Sequence, residues 1–94
     1  MRYQIKCKTS SFVTYLYDLD KAEKELKNVG ERLRQLRISK GYSNYEHLAY
    51  ELGISRSQYG RYEKGANMKM STFIKILRFL QISFSEFFDD KKFN

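Results

Sequence analysis

Residues 45–65, YEHLAYELGISRSQYGRYEKG, carry the spacing that decides the fold. Two short helices that meet at a tight corner need a small residue midway along the first, because the second crosses it at close range. Ala49 stands at that place. Four residues later the chain must turn, and Gly53 has the backbone freedom to do so. Leu48, Leu52 and Ile54 are the apolar positions that bury the first helix and the corner, and Tyr59 and Tyr62 those that bury the second. Ser55 is placed to cap the second helix, with Gln58 three residues on. A helix this short is unstable alone in water, so packing against the rest of the chain must hold it. Its remaining face, Arg56, Ser57, Gln58 and Arg61, is left pointing outward.

The flanking sequence repeats the same devices. The chain has no proline, and four of its five glycines fall where a helix should begin or end. Residues 28–40, NVGERLRQLRISK, predict a helix with Asn28 as N-cap, Glu31 three residues on and Gly41 as stop, with Val29, Leu33, Leu36 and Arg37 sharing one face. Ser43 with Glu46 reads as the capping box of the next helix. A fourth helix is expected from about Ser71 through Phe73, Ile74, Ile76, Leu77 and Leu80, ending near Gln81. A fifth starts at Ser83, with Glu86 completing its box, and is anchored by Phe87 and Phe88. These signals predict a compact five-helix bundle over residues 28–88.

Residues 1–27 read differently. RYQIKCK alternates polar and apolar positions, as a strand would, whereas SSFVTYLYDL fits strand or helix. DKAEKELKNV follows Leu19 with Ala22, Leu26 and Val29 at 3-4-3 spacing, and its charges fall at i,i+4, Asp20 with Lys24 and Glu23 with Lys27. That favours a helix running toward the next one. Residues 89–94, DDKKFN, read as a polar tail that frays.

Composition limits the function. A chain of 94 residues makes one domain with room for an appendage, and 41% apolar residues are enough to fold it. The net charge of +7, from 18 Lys and Arg against 11 Asp and Glu, suggests a polyanionic partner. The single cysteine, Cys7, excludes an internal disulfide and fits a reducing compartment. No apolar run approaches the ~20 residues of a membrane span, and MRYQIKCKTSSF has no signal-peptide core. A cytoplasmic protein with no membrane partner is expected. His47 has no second His or Cys at ligand spacing, the glycines form neither GxGxxG nor a Walker loop, and Asp89–Asp90 reads as solvated charge. The expectation is of no catalytic residues, no metal, no cofactor and no enzyme.

From VGERLRQLR through YEHLAYELGISRSQYGRYEKG to FIKILRFLQISFSEFF, residues 29–88, the sequence resembles the lambda-repressor/Cro-like helix-turn-helix family, also called the XRE family. That resemblance implies an all-α, five-helix lambda-repressor-like DNA-binding domain at residues 28–88, preceded by an N-terminal extension at 1–27. It further implies a nucleoid-associated, repressor-like transcription regulator that reads the major groove of double-stranded DNA as a homodimer, using the helix at residues 55–64. The family's helix 1 arginine and recognition-helix glutamate match Arg37 and Glu63, expected as an ion pair, with two solvated charges as the alternative. Three positions depart from the pattern. Tyr45 replaces a phosphate-contacting glutamine; its hydroxyl can donate to phosphate, and its ring can serve as packing. Tyr59 replaces a smaller aliphatic residue, which predicts a wider helix crossing. Gln81 replaces glycine at a left-handed position, at a cost of ~1 kcal/mol.

Groove chemistry assigns the outward residues. Arg56 and Arg61 suit a bidentate grip on guanine O6 and N7, or a phosphate. Gln58 suits adenine, or a place in its capping box; Ser57 suits any base edge, or acts as a spacer. Gly60 permits close approach to the sugar-phosphate wall or reflects plain lack of optimisation, at ~1 kcal/mol in a helix interior. Lys64, Asn67 and Lys69 in the following loop are placed for phosphates. The competing function is protein interaction: an adaptor or antitoxin whose residues 1–27 grip a partner protein.

Overall fold

The computed structural model describes residues 11–93. Five α-helices run in order, α1 (Ser11–Ser39), α2 (Tyr45–Leu52), α3 (Arg56–Glu63), α4 (Met70–Leu80) and α5 (Phe84–Phe88), followed by a 3-10 turn at Lys91–Phe93. The fold is all-α, as expected, and no strand occurs among the described residues. The strand reading of RYQIKCK, and Cys7 with it, lies outside them. SSFVTYLYDL, which fitted either state, is helical from Ser11 onward.

Asn28 does not cap a helix, which corrects the expected start of the bundle. Helix α1 runs without a break through Asn28 and Gly30 for 29 residues. No proline interrupts it, and the 3-4 spacing of Leu19, Ala22, Leu26 and Val29 continues into Leu33 and Leu36, so one apolar face spans both segments. Gly30 lies inside the helix for a packing reason. A Cβ there would come within 2.5 Å of the Glu63 carbonyl oxygen and 2.7 Å of that of Tyr62. The C-terminal end of α3 therefore rests on the α1 backbone.

The core gathers Leu33 and Leu36 from α1, Leu48, Ala49 and Leu52 from α2, Tyr59 and Tyr62 from α3, and Phe73, Ile76, Leu77 and Leu80 from α4, closed by Ile82 and Phe87. Each such side chain contributes ~1.5–3 kcal/mol when fully buried. Helix α2 is capped one residue later than expected: Asn44, not Ser43, accepts the Glu46 backbone N–H at 2.7 Å. Gly53 ends α2 at φ 74°, and Gln81 ends α4 at φ 59°, the left-handed position expected of it. Helix α4 begins at Met70 behind Lys69, which makes no side-chain cap.

The C-terminal tail packs, contrary to the expectation that it frays. Arg32 donates through Nε to the Phe87 carbonyl at 2.7 Å and through Nη2 to that of Glu86 at 2.7 Å, and it pairs with Asp90 at 3.5 Å. These contacts satisfy the free carbonyls at the end of α5. Phe93 then meets the Phe88 ring edge-on at 5.0 Å. Sequence spacing could not reveal this clip, because Arg32 and Phe87 are 55 residues apart.

Candidate nucleic-acid interface

Helix α3 owes its position to one buried face. Tyr59 is fully buried, Tyr62 nearly so, and Ala49 of α2 leaves room for the crossing with 1% exposure. Ser55 caps α3 by accepting the Gln58 backbone N–H at 3.1 Å. At the far end, Glu63 turns back to α1. Arg37 donates to its carboxylate through Nε at 2.7 Å and Nη2 at 3.2 Å, a two-pronged contact. The side chains are 4% and 7% exposed, so the pair is buried, and Arg37 Nη1 also donates to the Tyr42 carbonyl.

With that face anchored, Arg56, Ser57 and Arg61 are exposed. Two of them have partners that spacing alone did not reveal. Arg56 lies 3.5 Å from the Glu46 carboxylate, across the α2–α3 corner. Arg61 donates to Gln58 Oε1 at 2.8 Å, while Gln58 Nε2 donates to the Tyr62 hydroxyl at 2.9 Å. The Gln58 amide is thus used at both ends. Its backbone joins the cap, but its side chain does not complete a capping box; it links Arg61 to a buried tyrosine.

Tyr45 combines packing with access to solvent. Its ring stacks on Tyr59, with centroids 6.2 Å apart and planes 28° from parallel. Gly60 is buried beneath it, and a Cβ there would meet that ring at 3.1–3.2 Å. Gly60 thus leaves room for an aromatic neighbour, a packing role that neither sequence reading named. Beside it opens a cleft of about 420 Å³ lined by Arg34, Ser43, Tyr45 and Lys64, next to the Arg37–Glu63 pair. Arg34, which the spacing did not single out, brings a further cation to this cleft. Asn67 lines a different groove, against α1, and Lys69 is exposed at the start of α4.

The charges around α3 include one strongly perturbed group. Burial, and after it the Glu63 carboxylate, pushes the Tyr59 hydroxyl far above its ordinary value, so it stays protonated. That hydroxyl is buried close to the Arg37–Glu63 pair, which acts on it electrostatically, but it makes no hydrogen bond of acceptable geometry with the described residues. Elsewhere, the Tyr42 hydroxyl and then His47 hold the Glu51 carboxyl below its ordinary value. His47 lies 2.9 Å from Glu51 on the exposed side of α2, as part of a surface network. No group of three or more His, Cys, Asp or Glu among the described residues could hold a metal ion, and no described helix is long and apolar enough to cross a membrane.

A helix-turn-helix family model matches residues 33–87. The chain is 46% identical over 55 residues to the "SPbeta prophage-derived uncharacterized HTH-type transcriptional regulator YonR" of Bacillus subtilis, a match covering 57% of this chain and 50% of that protein. It is 59% identical over 39 residues to the "Putative HTH-type transcriptional regulatory protein PF1851" of Pyrococcus furiosus, covering 42% of this chain and 12% of that protein. The chain thus spans half the length of the first relative and a small part of the second. No solved structure gives a significant match.

Proposed function

This chain belongs to the helix-turn-helix family, and from that premise we propose that it is a sequence-specific regulator of transcription that reads double-stranded DNA with α3. The observation that carries the reading is the two-sided character of that helix. One face is buried through Tyr59, Tyr62 and the Arg37–Glu63 pair, and the other presents Arg56, Ser57 and Arg61 without an acidic residue among them. Laid in the major groove, Arg61 and Arg56 grip guanine edges, Ser57 meets a neighbouring base, and Gln58 either reads adenine or steadies Arg61. Tyr45, Lys64, Asn67 and Lys69 hold phosphates on either side. A DNA partner places the protein with the nucleoid in the cytoplasm, acting as a homodimer on paired half-sites.

The charge supports this assignment. Residues 29–94 carry 12 Lys and Arg against 7 Asp and Glu, a balance of +5. Phosphate contacts release counterions, so log affinity falls linearly with log salt, at about −0.9 per contact. The test is a selection from random duplexes followed by titration at two salt concentrations. The expected result is one enriched motif, with Arg61→Ala losing ~1–3 kcal/mol of discrimination at one position per half-site. Lys64→Ala should weaken all sequences alike and reduce the salt slope by about one contact. Absence of binding at low salt overturns the DNA reading in favour of an adaptor or antitoxin. The apolar pattern of the N-terminal half of α1 supports a protein-binding role for residues 1–27 in either case.

A further inference from the structure

Gln58, Arg61 and Tyr62 stand at i, i+3 and i+4 of α3, so their side chains are neighbours on the surface of one helix. They lead from core to solvent: Tyr62 is 8% exposed, Gln58 is half-buried and Arg61 is exposed. Two hydrogen bonds join them. Arg61 Nη2 donates to Gln58 Oε1 at 2.8 Å, and Gln58 Nε2 donates to the Tyr62 hydroxyl oxygen at 2.9 Å. The chemistry permits no other orientation of the amide. A guanidinium has only donors, so the amide oxygen must face Arg61 and the amide nitrogen must then face Tyr62, whose hydroxyl accepts.

The inner end of this series is fixed by packing. The Tyr62 ring meets that of Tyr59 edge-on, with centroids 6.5 Å apart, and Tyr59 is fully buried and stacked on Tyr45. The Tyr62 hydroxyl therefore has a set position relative to the core, and through Gln58 it sets one for the Arg61 guanidinium. The two arginines of α3 differ in this respect. Arg56 sits 3.5 Å from the Glu46 carboxylate in an exposed pair, and that partner opposes its charge. Arg61 is held by a neutral amide, which leaves its charge whole and occupies a single N–H of the guanidinium fork. The rest of the fork stays available for a base edge.

We propose that Gln58 and Tyr62 are positioning residues, which hold Arg61 in the orientation that grips a guanine edge, and that Gln58 reads no base itself. The proposal rests on the assignment of α3 as the DNA-reading helix and deepens it. It chooses between the two parts open to Gln58 and adds Tyr62, a residue behind the outward face. A free arginine side chain carries much rotamer freedom, which it must give up on docking. Placement in advance removes part of that loss, but only for the base that fits the held geometry. Phosphate contacts, which give affinity to every sequence, are untouched. The series therefore acts on discrimination at one base and leaves general affinity alone.

Base-by-base competition on the full chain tests it, with duplexes of the selected motif changed at one position at a time. Arg61→Ala first marks the position that Arg61 reads, through the loss of guanine preference there. Tyr62→Phe keeps the ring and removes only the hydroxyl. It should lose roughly three- to tenfold in discrimination at that same position and nowhere else, part of what a bidentate pair supplies. Gln58→Met keeps side-chain length and helix propensity but breaks both bonds, and should do the same. In an Arg61→Ala background neither change should add anything, since the arginine they position is gone. Binding to unrelated duplex should stay as in the wild type. An unchanged profile for Tyr62→Phe overturns the proposal, as does a Tyr62→Phe that weakens every duplex alike, the mark of a merely structural hydroxyl. Relaxation at an adenine position in Gln58→Met makes Gln58 a reader and overturns its positioning role. Each of these results leaves the DNA reading standing. A wild type with no preferred sequence defeats that reading itself, and the proposal falls with it.

Discussion

Replacing Glu63 by alanine should destabilise the domain severely while leaving its base preference unchanged. The two side chains of the Arg37–Glu63 pair are 4% and 7% exposed and meet at 2.7 Å, so removing the carboxylate leaves a nearly buried guanidinium without its charged partner. Breaking one side of a buried pair costs ~3–5 kcal/mol. Arg37 keeps its bond to the Tyr42 carbonyl, which points to the lower end, about 3 kcal/mol. Against a total stability of ~5–15 kcal/mol, that is a fifth or more of what holds the fold. At roughly 4–8 °C per kcal/mol for a domain of this size, the midpoint should fall by about 12–24 °C. Thermal and urea melts followed by circular dichroism measure it, with the urea slope unchanged. The double variant Arg37→Met with Glu63→Leu should recover most of the loss, since a packed apolar pair often replaces a buried ion pair at little net cost. A loss below about 1 kcal/mol for Glu63→Ala would refute the reasoning. So would a double variant that melts as low as the single one, because the stranded charge could then not be the cause.

Gly30→Ala should destabilise despite a helix-propensity gain of ~1 kcal/mol, because the new Cβ meets backbone atoms of Tyr62 and Glu63 at 2.7 and 2.5 Å; overpacking of ~1–3 kcal/mol should win, and a raised urea midpoint would contradict it. Tyr59→Phe removes a buried hydroxyl that has no hydrogen-bond partner among the described residues, so it should be neutral or stabilising; a loss above ~1 kcal/mol would show that the hydroxyl is satisfied after all. Asp90 is held below its ordinary value by the Lys92 backbone N–H first, then by the charges of Lys92 and Arg32. A folded value below the unfolded one means that its contribution is complete above about pH 4 and is lost as pH falls through the folded value. The protection factor of the Phe93 amide, whose N–H donates to the Asp90 carbonyl at 3.1 Å, should fall in that acid window, and Asp90→Asn should abolish that change in protection.

The parts of the fold that the sequence revealed are those in which a residue answers to its immediate neighbours. Gly53 at φ 74°, Gln81 at φ 59° and the Ser55 cap all follow from local turn chemistry. So does the choice of Leu48, Leu52, Tyr59 and Tyr62 as inward positions, all of them buried. The misreadings share a different cause. Asn28 and Glu31 have the spelling of a cap, yet a cap forms only where the helix has reason to stop, and the stripe through Leu26, Val29 and Leu33 gives it none. Gly30 looks like punctuation but serves close approach to the end of α3, and Gly60, read as a helix-interior position, leaves room for the Tyr45 ring. The contacts Glu46–Arg56, Gln58–Tyr62 and Arg32–Phe87 join positions whose meeting depends on where whole helices have already been placed.

The continuity of α1 has a mechanical consequence. The same helix carries the N-terminal segment at one end and, at the other, Arg37, whose two-pronged contact fixes the end of α3. Gly30 brings the backbones of α1 and α3 together between those two points. Had the chain broken at Asn28, the N-terminal segment would be a tether, and a partner bound to it would only be raised in local concentration near the body. An unbroken helix leaves no joint between that segment and the element that holds α3. A partner gripped by residues 1–27, as proposed for the protein-binding role, would therefore be held at a fixed angle to α3, because the helix itself sets that angle.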